Sequence, residues 1–285
     1  MDCILIRYGE IALKSNYVRK RSEDILIGNI KSALKAWGFD FKIKRLFGRV
    51  IVEGFDKKCV NILKHVFGIV SFSPCIKTES RLEVLKKESI KLAKRSIKKS
   101  DSFAVRCKRT GEHRFTSRDV EIAVGSEIVK RIGSKVDLTK PDKTIGIDIR
   151  DEETYIYSDN IRGPGGVPVG AGGKVVSIIQ NFNGVAASWF FMKRGCVIVP
   201  VFIHKSKKFL DLIENWHTGH KVRPHYLNKY STKKIEEILK ENRIMEIVTG
   251  EDIKDKWIKS KHLVFRPLVG FNKKDLDEIK KVIIG

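Results

Sequence analysis

The chain has 285 residues, 42% of them hydrophobic, which is enough apolar material for two or three packed domains and excludes a disordered chain. Lysine and arginine number 57 against 34 acidic residues, a net charge of +23, which favours a polyanionic partner, with nucleic acid ahead of a membrane surface. No apolar run approaches the roughly 18 residues that span a bilayer, and the opening Met1-Asp2-Cys3-Ile4 lacks the order of a signal peptide, so the expectation is a cytoplasmic protein that avoids membranes.

The excess charge is uneven. Residues 1–100 hold 23 basic and 10 acidic side chains, 101–170 hold 12 of each, and 171–285 hold 22 and 12, so the middle of the chain is neutral in sum. The five cysteines include no C-x-x-C pair, which removes a zinc knuckle and a local redox couple from consideration.

In chain order, a strand over Cys3–Arg7 leads through Tyr8-Gly9-Glu10 to a helix that ends before Gly38. Strands at Phe41–Leu46 and Arg49–Val52, a helix over Lys57–Val66 and a strand over Gly68–Pro74 complete a β-α-β-β-α-β order. That is the ferredoxin-like pattern, assigned to residues 1–76. A basic amphipathic helix over about 80–100 turns Leu82, Leu85, Ile90, Ala93 and Ile97 inward. Next come a strand at Ser102–Arg106, a basic turn from Lys108 to Phe115, a helix from Ser117 to Ile132, and strands at Thr144–Arg150 and Glu153–Ser158. These form a second α/β unit over 77–162.

The glycine- and proline-rich stretch Arg162-Gly163-Pro164-Gly165-Gly166-Val167-Pro168-Val169-Gly170 marks a linker, placed at 163–172, and a third domain is expected over 173–285. Its start reads strand, helix, strand: Lys174–Ile179, Val185–Arg194, then Cys196–Ile203, with Asn183 expected to cap the helix and Gly195 to end it. The six residues Ile178, Ile179, Gln180, Asn181, Phe182 and Asn183 occupy the place of a phosphate cradle. Such a cradle needs glycines, so that backbone N–H groups can converge at the helix start. None occurs before Gly184, Ile179 resists a positive φ, and Phe182 accepts no hydrogen bond, so an ordinary tight connection is expected. His217, His220 and His225 have no acidic or thiol partner near in sequence, and no metal is assigned to them.

Several motifs in this order make the chain resemble the tRNA 4-thiouridine synthetases, or tRNA sulfurtransferases. They are Ile6–Lys14 with Asn29-Ile30-Lys31; Phe103–Arg109 with His113, Phe115 and Ser117; Gly165–Gly170; Val185-Ala186-Ala187; Met192–Gly195; Thr249-Gly250-Glu251; and Phe265–Gly270. The resemblance implies an α/β protein with an N-terminal ferredoxin-like domain, a THUMP domain and a truncated, Rossmann-like PP-loop pyrophosphatase domain. The family's PP-loop, Ser-Gly-Gly-x-Asp-Ser, falls on Ile178 to Asn183 and keeps none of its fixed residues, and no cysteine follows Cys196.

The expectation from the resemblance is therefore tRNA binding at the acceptor stem and 3′ end, without catalytic residues, cofactor or metal. Arg7, Lys14, Arg106, Lys108, Arg109, His113, Arg114 and Phe115 are the expected RNA contacts, through phosphate pairing and base stacking. A homodimer is implied. The alternative is an active sulfurtransferase that uses ATP and Mg²⁺ at an altered site, or that works with a separate modification-enzyme partner.

Overall fold

The computed structural model describes residues 2–9, 15–54, 56–255, 258 and 260–285, and Lys14 lies outside the described residues. The chain divides into two compact units. One comprises Met1–Arg7, Asp40–Lys57 and Ser71–Arg162, the other Tyr8–Phe39, Lys58–Val70 and Gly163–Gly285.

The opening elements follow the expected order: β1 (Cys3–Tyr8), α1 (Asn16–Lys35), β2 (Lys42–Leu46), β3 (Arg49–Glu53), α2 (Lys57–Leu63) and β4 (Ile69–Glu79). After them come α3 (Leu82–Ser96), β5 (Ser102–Thr110), α4 (Ser117–Ile132), β6 (Lys135–Val136), β7 (Lys143–Arg150), β8 (Glu153–Tyr157) and β9 (Ile161–Arg162). In the first unit the strands join one sheet in the order β2-β3-β1-β4-β8-β7-β5-β6, with β9 on β4. β4 runs straight through the junction expected at 76–77, because its second half pairs antiparallel with β8 from Ile76↔Ile156 to Glu79↔Glu153.

Helix α4 illustrates how local chemistry fixes an element. Thr116 and Asp119 form a reciprocal capping box at its start, and Gly133 ends it at φ 76°. Its stripe of Val120, Val124 and Ile128 is buried with Leu85, Ala93, Phe103 and Ile145. The basic turn expected from Lys108 is corrected: Lys108, Arg109 and Thr110 belong to β5, held by parallel pairing to Asp148, Ile149 and Arg150 of β7. The turn proper covers residues 111–116.

In the second unit, β10 (Lys174–Ile179), α5 (Phe182–Lys193), β11 (Val197–Ile203), α6 (Lys207–Trp216), β12 (His225–Leu227), α7 (Thr232–Asn242), β13 (Glu246–Thr249), β14 (Leu263–Phe265) and α8 (Lys273–Ile284) follow in order. The sheet order is β12-β11-β10-β13-β14, with every pair parallel. Strand β10 is central and buried on both faces, as its β-branched run requires. Helix α5 is buried nearly all round, and Ser188 satisfies its hydroxyl there against Ser177, 2.7 Å away. Phe67, Trp189 and Trp216 form the aromatic centre of this core, with ring centroids 5.1–5.6 Å apart. No described helix is long and apolar enough to cross a membrane.

Candidate functional site

Successive strands leave β10 in opposite directions, toward β11 on one side and β13 on the other, which opens a crevice at the strands' carboxyl ends. Open α/β sheets bind ligands at such a point. A cavity of about 840 Å³ lies there, lined among others by Gln180, Asn181, Gly184, Tyr230, Gly250 and Arg266.

The six-residue segment at its edge is divided differently from the sequence reading. Ile178 and Ile179 are the buried end of β10, Phe182 and Asn183 open α5, and only Gln180 and Asn181 form the connection. The helix cap is Asn181, not Asn183. The Asn181 side chain accepts from the Asn183 N–H at 2.9 Å, and its carbonyl accepts from the Gly184 N–H at 3.2 Å. Two donors that a phosphate would use at a helix start are therefore satisfied within the turn.

The turn also has no space to widen. A Cβ on Gly184 would stand 2.8 Å from the Ile179 Cα, and one on Gly250 would overlap the Asn183–Gly184 peptide. The crevice's Glu251 is committed as well: Arg266 Nε (2.9 Å), Thr249 Oγ1 (3.0 Å) and the Ile258 N–H (2.6 Å) all donate to its carboxylate. A triphosphate with Mg²⁺ needs converging N–H donors and uncommitted carboxylates, and these residues do not fit it.

The expected RNA contacts lie in the other unit, apart from the undescribed Lys14. Arg106 and Lys108 are exposed on β5, Arg114 is exposed within the turn, and Arg118 is exposed in the first turn of α4. Arg106 Nη2 donates to the Leu138 carbonyl. Arg109 is half-buried and donates to the Gly111 carbonyl at 3.2 Å, which fixes the turn's shape. His113 stacks on Phe115 with ring centroids 5.3 Å apart and 17° between planes, while Phe115 packs against the core under α4. The structure thus brings Lys108, Arg109, His113, Arg114 and Phe115 together around one turn, with an anchored aromatic pair among cations.

Arg7 is occupied differently. It donates to Ser73 Oγ (3.0 Å) and Asn160 Oδ1 (3.3 Å), and its Cζ lies 4.5 Å from the Tyr157 ring centroid, so it braces the sheet. Phe47, which the sequence reading did not single out, is 75% exposed at the β2–β3 tip. Arg150 Nη1 donates both to the Phe47 carbonyl and to Thr110 Oγ1, each at 3.4 Å, which ties the backbone of the β2–β3 tip to the end of β5. Its one sequence signal is an aromatic residue before Gly48 in a tight hairpin.

The histidine segment is structural. The Ile198 N–H donates to His217 Nε2 at 2.9 Å, so Nδ1 carries the proton and faces the His220 carbonyl at 3.3 Å. Burial lowers the His217 pKa to about 4 and keeps the ring neutral. Among the described residues no three His, Cys, Asp or Glu side chains cluster as metal ligands. Sulfur chemistry requires thiolates, yet the Cys75 thiol is pushed up by its hydrogen bond with Cys3 and by burial. Burial also raises Cys196, and lifts Cys107 to about 11.

Residues 3–73 match the family model of the ThiI ferredoxin-like domain, and residues 79–159 match that of the THUMP domain. The probable tRNA sulfurtransferase of Methanothermobacter thermautotrophicus is 41% identical over 208 residues, covering 70% of this chain and 52% of its own length. That of Methanobrevibacter smithii is 38% identical, covering 70% and 53%. The chain therefore spans about half the length of these two relatives. That of Saccharolobus solfataricus is 34% identical over 319 residues, covering 96% of this chain and 84% of its own. Among solved structures, PH1313 from Pyrococcus horikoshii superposes with a TM-score of 0.85 at 29% identity, covering 99% of each chain. A 4-thiouridine synthetase solved as an RNA complex with bound ATP has the same fold, with a TM-score of 0.85 at 24% identity over 99% of this chain and 85% of that one.

Proposed function

Because the chain belongs to the tRNA sulfurtransferase family, we propose that it is a tRNA-binding member that neither adenylates uridine nor transfers sulfur by itself. The observation that carries the proposal is the connection between β10 and α5. Adenylation depends on backbone donors and a metal ion that hold the nucleotide phosphates, and here the donors of Asn183 and Gly184 are closed onto Asn181. The cysteines with raised pKa values add the same indication for sulfur delivery.

RNA binding falls to the turn after β5. Lys108 and Arg114, with Arg106 and Arg118 beside them, meet phosphates, while the His113–Phe115 stack offers a face to an unpaired base. The acceptor stem and single-stranded 3′ end supply both kinds of contact, and the relative solved as an RNA complex is consistent with this reading. The division of the chain at 76, 162 and 172, the homodimer and the cytoplasmic setting belong to the same proposal.

A second reading has one observation in its favour. The crevice still encloses about 840 Å³ beside Tyr230 and Arg266, room in which a partner enzyme's substrate or an altered nucleotide pose would fit. Filter binding at one fixed salt concentration tests the RNA half. A tRNA should bind at least about tenfold more tightly than an RNA duplex of equal charge, and equal affinities would reduce the chain to a nonspecific basic scaffold.

A further inference from the structure

Two cysteines 72 positions apart in the chain meet inside the first unit. Cys3 opens β1, and Cys75 lies within β4, its neighbour in the sheet. Their sulfurs stand 3.3 Å apart, nearer than the roughly 3.5–4.0 Å at which buried apolar atoms ordinarily touch. Both side chains are fully buried in a cluster with Leu5, Ile51 and Tyr155, so packing fixes the approach.

The backbone holds the two residues opposite one another. The Asp2 N–H donates to the Cys75 carbonyl at 2.9 Å, and the Lys77 N–H donates to the Asp2 carboxylate at 3.3 Å. Each thiol is also directed at the other residue's carbonyl: Cys75 Sγ lies 3.4 Å from the Cys3 oxygen, and Cys3 Sγ lies 3.9 Å from that of Cys75. Shortening 3.3 Å to the roughly 2.0 Å of a disulfide moves each sulfur by about 0.7 Å, a modest turn about χ1 that leaves both strands in place. The Tyr155 hydroxyl in the same cluster is committed to Glu153 at 2.7 Å, and among the described residues no three His, Cys, Asp or Glu side chains gather as metal ligands. Two thiols without a third ligand suit a metal poorly and suit one another well.

We infer that Cys3 and Cys75 are a covalent modification site, a pair that a low-molecular-weight disulfide converts into a cross-strand bridge between β1 and β4. One cysteine, as thiolate, attacks a sulfur of the reagent, whose S–S bond breaks and releases one thiol. The other cysteine then attacks the protein sulfur of that mixed disulfide and releases the second thiol. In sum, two protein S–H bonds and one reagent S–S bond give one protein S–S bond and two reagent thiols, which carry away the two electrons and two protons. The hydrogen bond with Cys3 and burial push the Cys75 thiol up, so no thiolate forms in the closed core. The exchange proceeds when the end of β1 that begins with Cys3 opens locally, and the packed cluster then shields the finished bond. Reducing surroundings keep the pair as thiols, and an excess of oxidised low-molecular-weight disulfide converts it. The proposal stands apart from the tRNA reading, since neither cysteine lies in the basic turn.

Oxidised glutathione is the probe, incubated at millimolar concentration with the full chain in buffer and in sub-denaturing urea, followed by alkylation of the remaining thiols and tryptic mapping without reductant. Cleavage after Arg7, Lys64 and Lys77 places the two cysteines in separate peptides, Met1–Arg7 and His65–Lys77. The expected product is lighter than the reduced chain by two hydrogens and has these peptides joined. Its thermal midpoint should lie at least about 5 °C above that of the reduced chain, because the bond closes a long loop in the unfolded state. Cys3→Ala and Cys75→Ala should each abolish the joined peptides and the rise, whereas Cys107→Ala should keep both. Recovery of Met1–Arg7 and His65–Lys77 apart under both conditions, with or without adducts on the half-buried Cys107, overturns the proposal. Joined peptides with an unchanged or lower midpoint overturn it too, because the strands would then have to move to make the bond.

Discussion

Replacing Lys108, Arg114 and Arg118 together by alanine should change how RNA binding responds to salt more than it changes anything else. All three side chains are solvent-exposed around the turn after β5, so their removal creates no cavity and exposes no core. If each meets one phosphate, the log–log slope of affinity against salt becomes shallower by about 2 for a single strand and about 2.7 for a duplex. Between about 50 and 200 mM salt, the parent's advantage over the variant then shrinks by roughly 20- to 40-fold. Filter binding of tRNA to both proteins across that range measures the two slopes directly. Thermal unfolding of the variant should coincide with the parent within about a degree, as expected for surface substitutions. Parallel salt lines, or a loss of affinity that persists undiminished at high salt, would refute the assignment of this turn to phosphate contact.

Four further outcomes follow from the geometry. His217, whose pKa burial lowers from 6.5 to about 4, stays neutral in the fold while the unfolded chain takes up a proton. Stability is therefore full above about pH 6.5 and falls as pH drops toward 4, by about 3 kcal/mol, and His217→Gln should flatten urea midpoints across that window. Gly250→Ala drives a methyl into the Asn183–Gly184 backbone, which cannot rotate aside, and should cost about 1–3 kcal/mol in urea unfolding. Gly28→Ala, in open space within α1, should stabilise by up to about 1 kcal/mol. Asn181→Ala, which removes the cap of α5, should cost about 1 kcal/mol, whereas Asn183→Ala should cost less because that side chain is not the cap.

The architecture was legible where local chemistry and periodicity agree. Helix α4 spans Ser117–Ile132 as expected, because Val120, Ala123, Val124 and Ile128 recur at helical spacing, and the structure adds the capping box of Thr116 and Asp119 and the stop at Gly133. The extension of β5 was not legible. Lys108, Arg109 and Thr110 are polar and read as a turn, and only the ladder to β7, some forty residues onward, makes them a strand. The two-residue strands β6 and β9 are too short to leave any periodic signal. The cap of α5 was expected at Asn183 and falls at Asn181, two residues earlier. The close packing of Gly184 on Ile179 accompanies the earlier one.

At the candidate site, the loss of phosphate-cradle chemistry was visible in residue types, since isoleucine and phenylalanine replace glycine and small polar residues. That the remaining donors are consumed by Asn181 required coordinates. Arg7 read as a free cation, but Ser73, Tyr157 and Asn160 engage it from positions 66 to 153 residues away.

The central claim, RNA binding without uridine activation, is tested most directly by nucleoside analysis of tRNA. The tRNA would be incubated with the purified chain, ATP, Mg²⁺ and a persulfide donor, beside a relative that keeps the Ser-Gly-Gly-x-Asp-Ser loop as positive control. The account predicts 4-thiouridine and tRNA-dependent AMP release at background for this chain and well above it for the relative. Recovery of 4-thiouridine from the reaction containing this chain alone would contradict it.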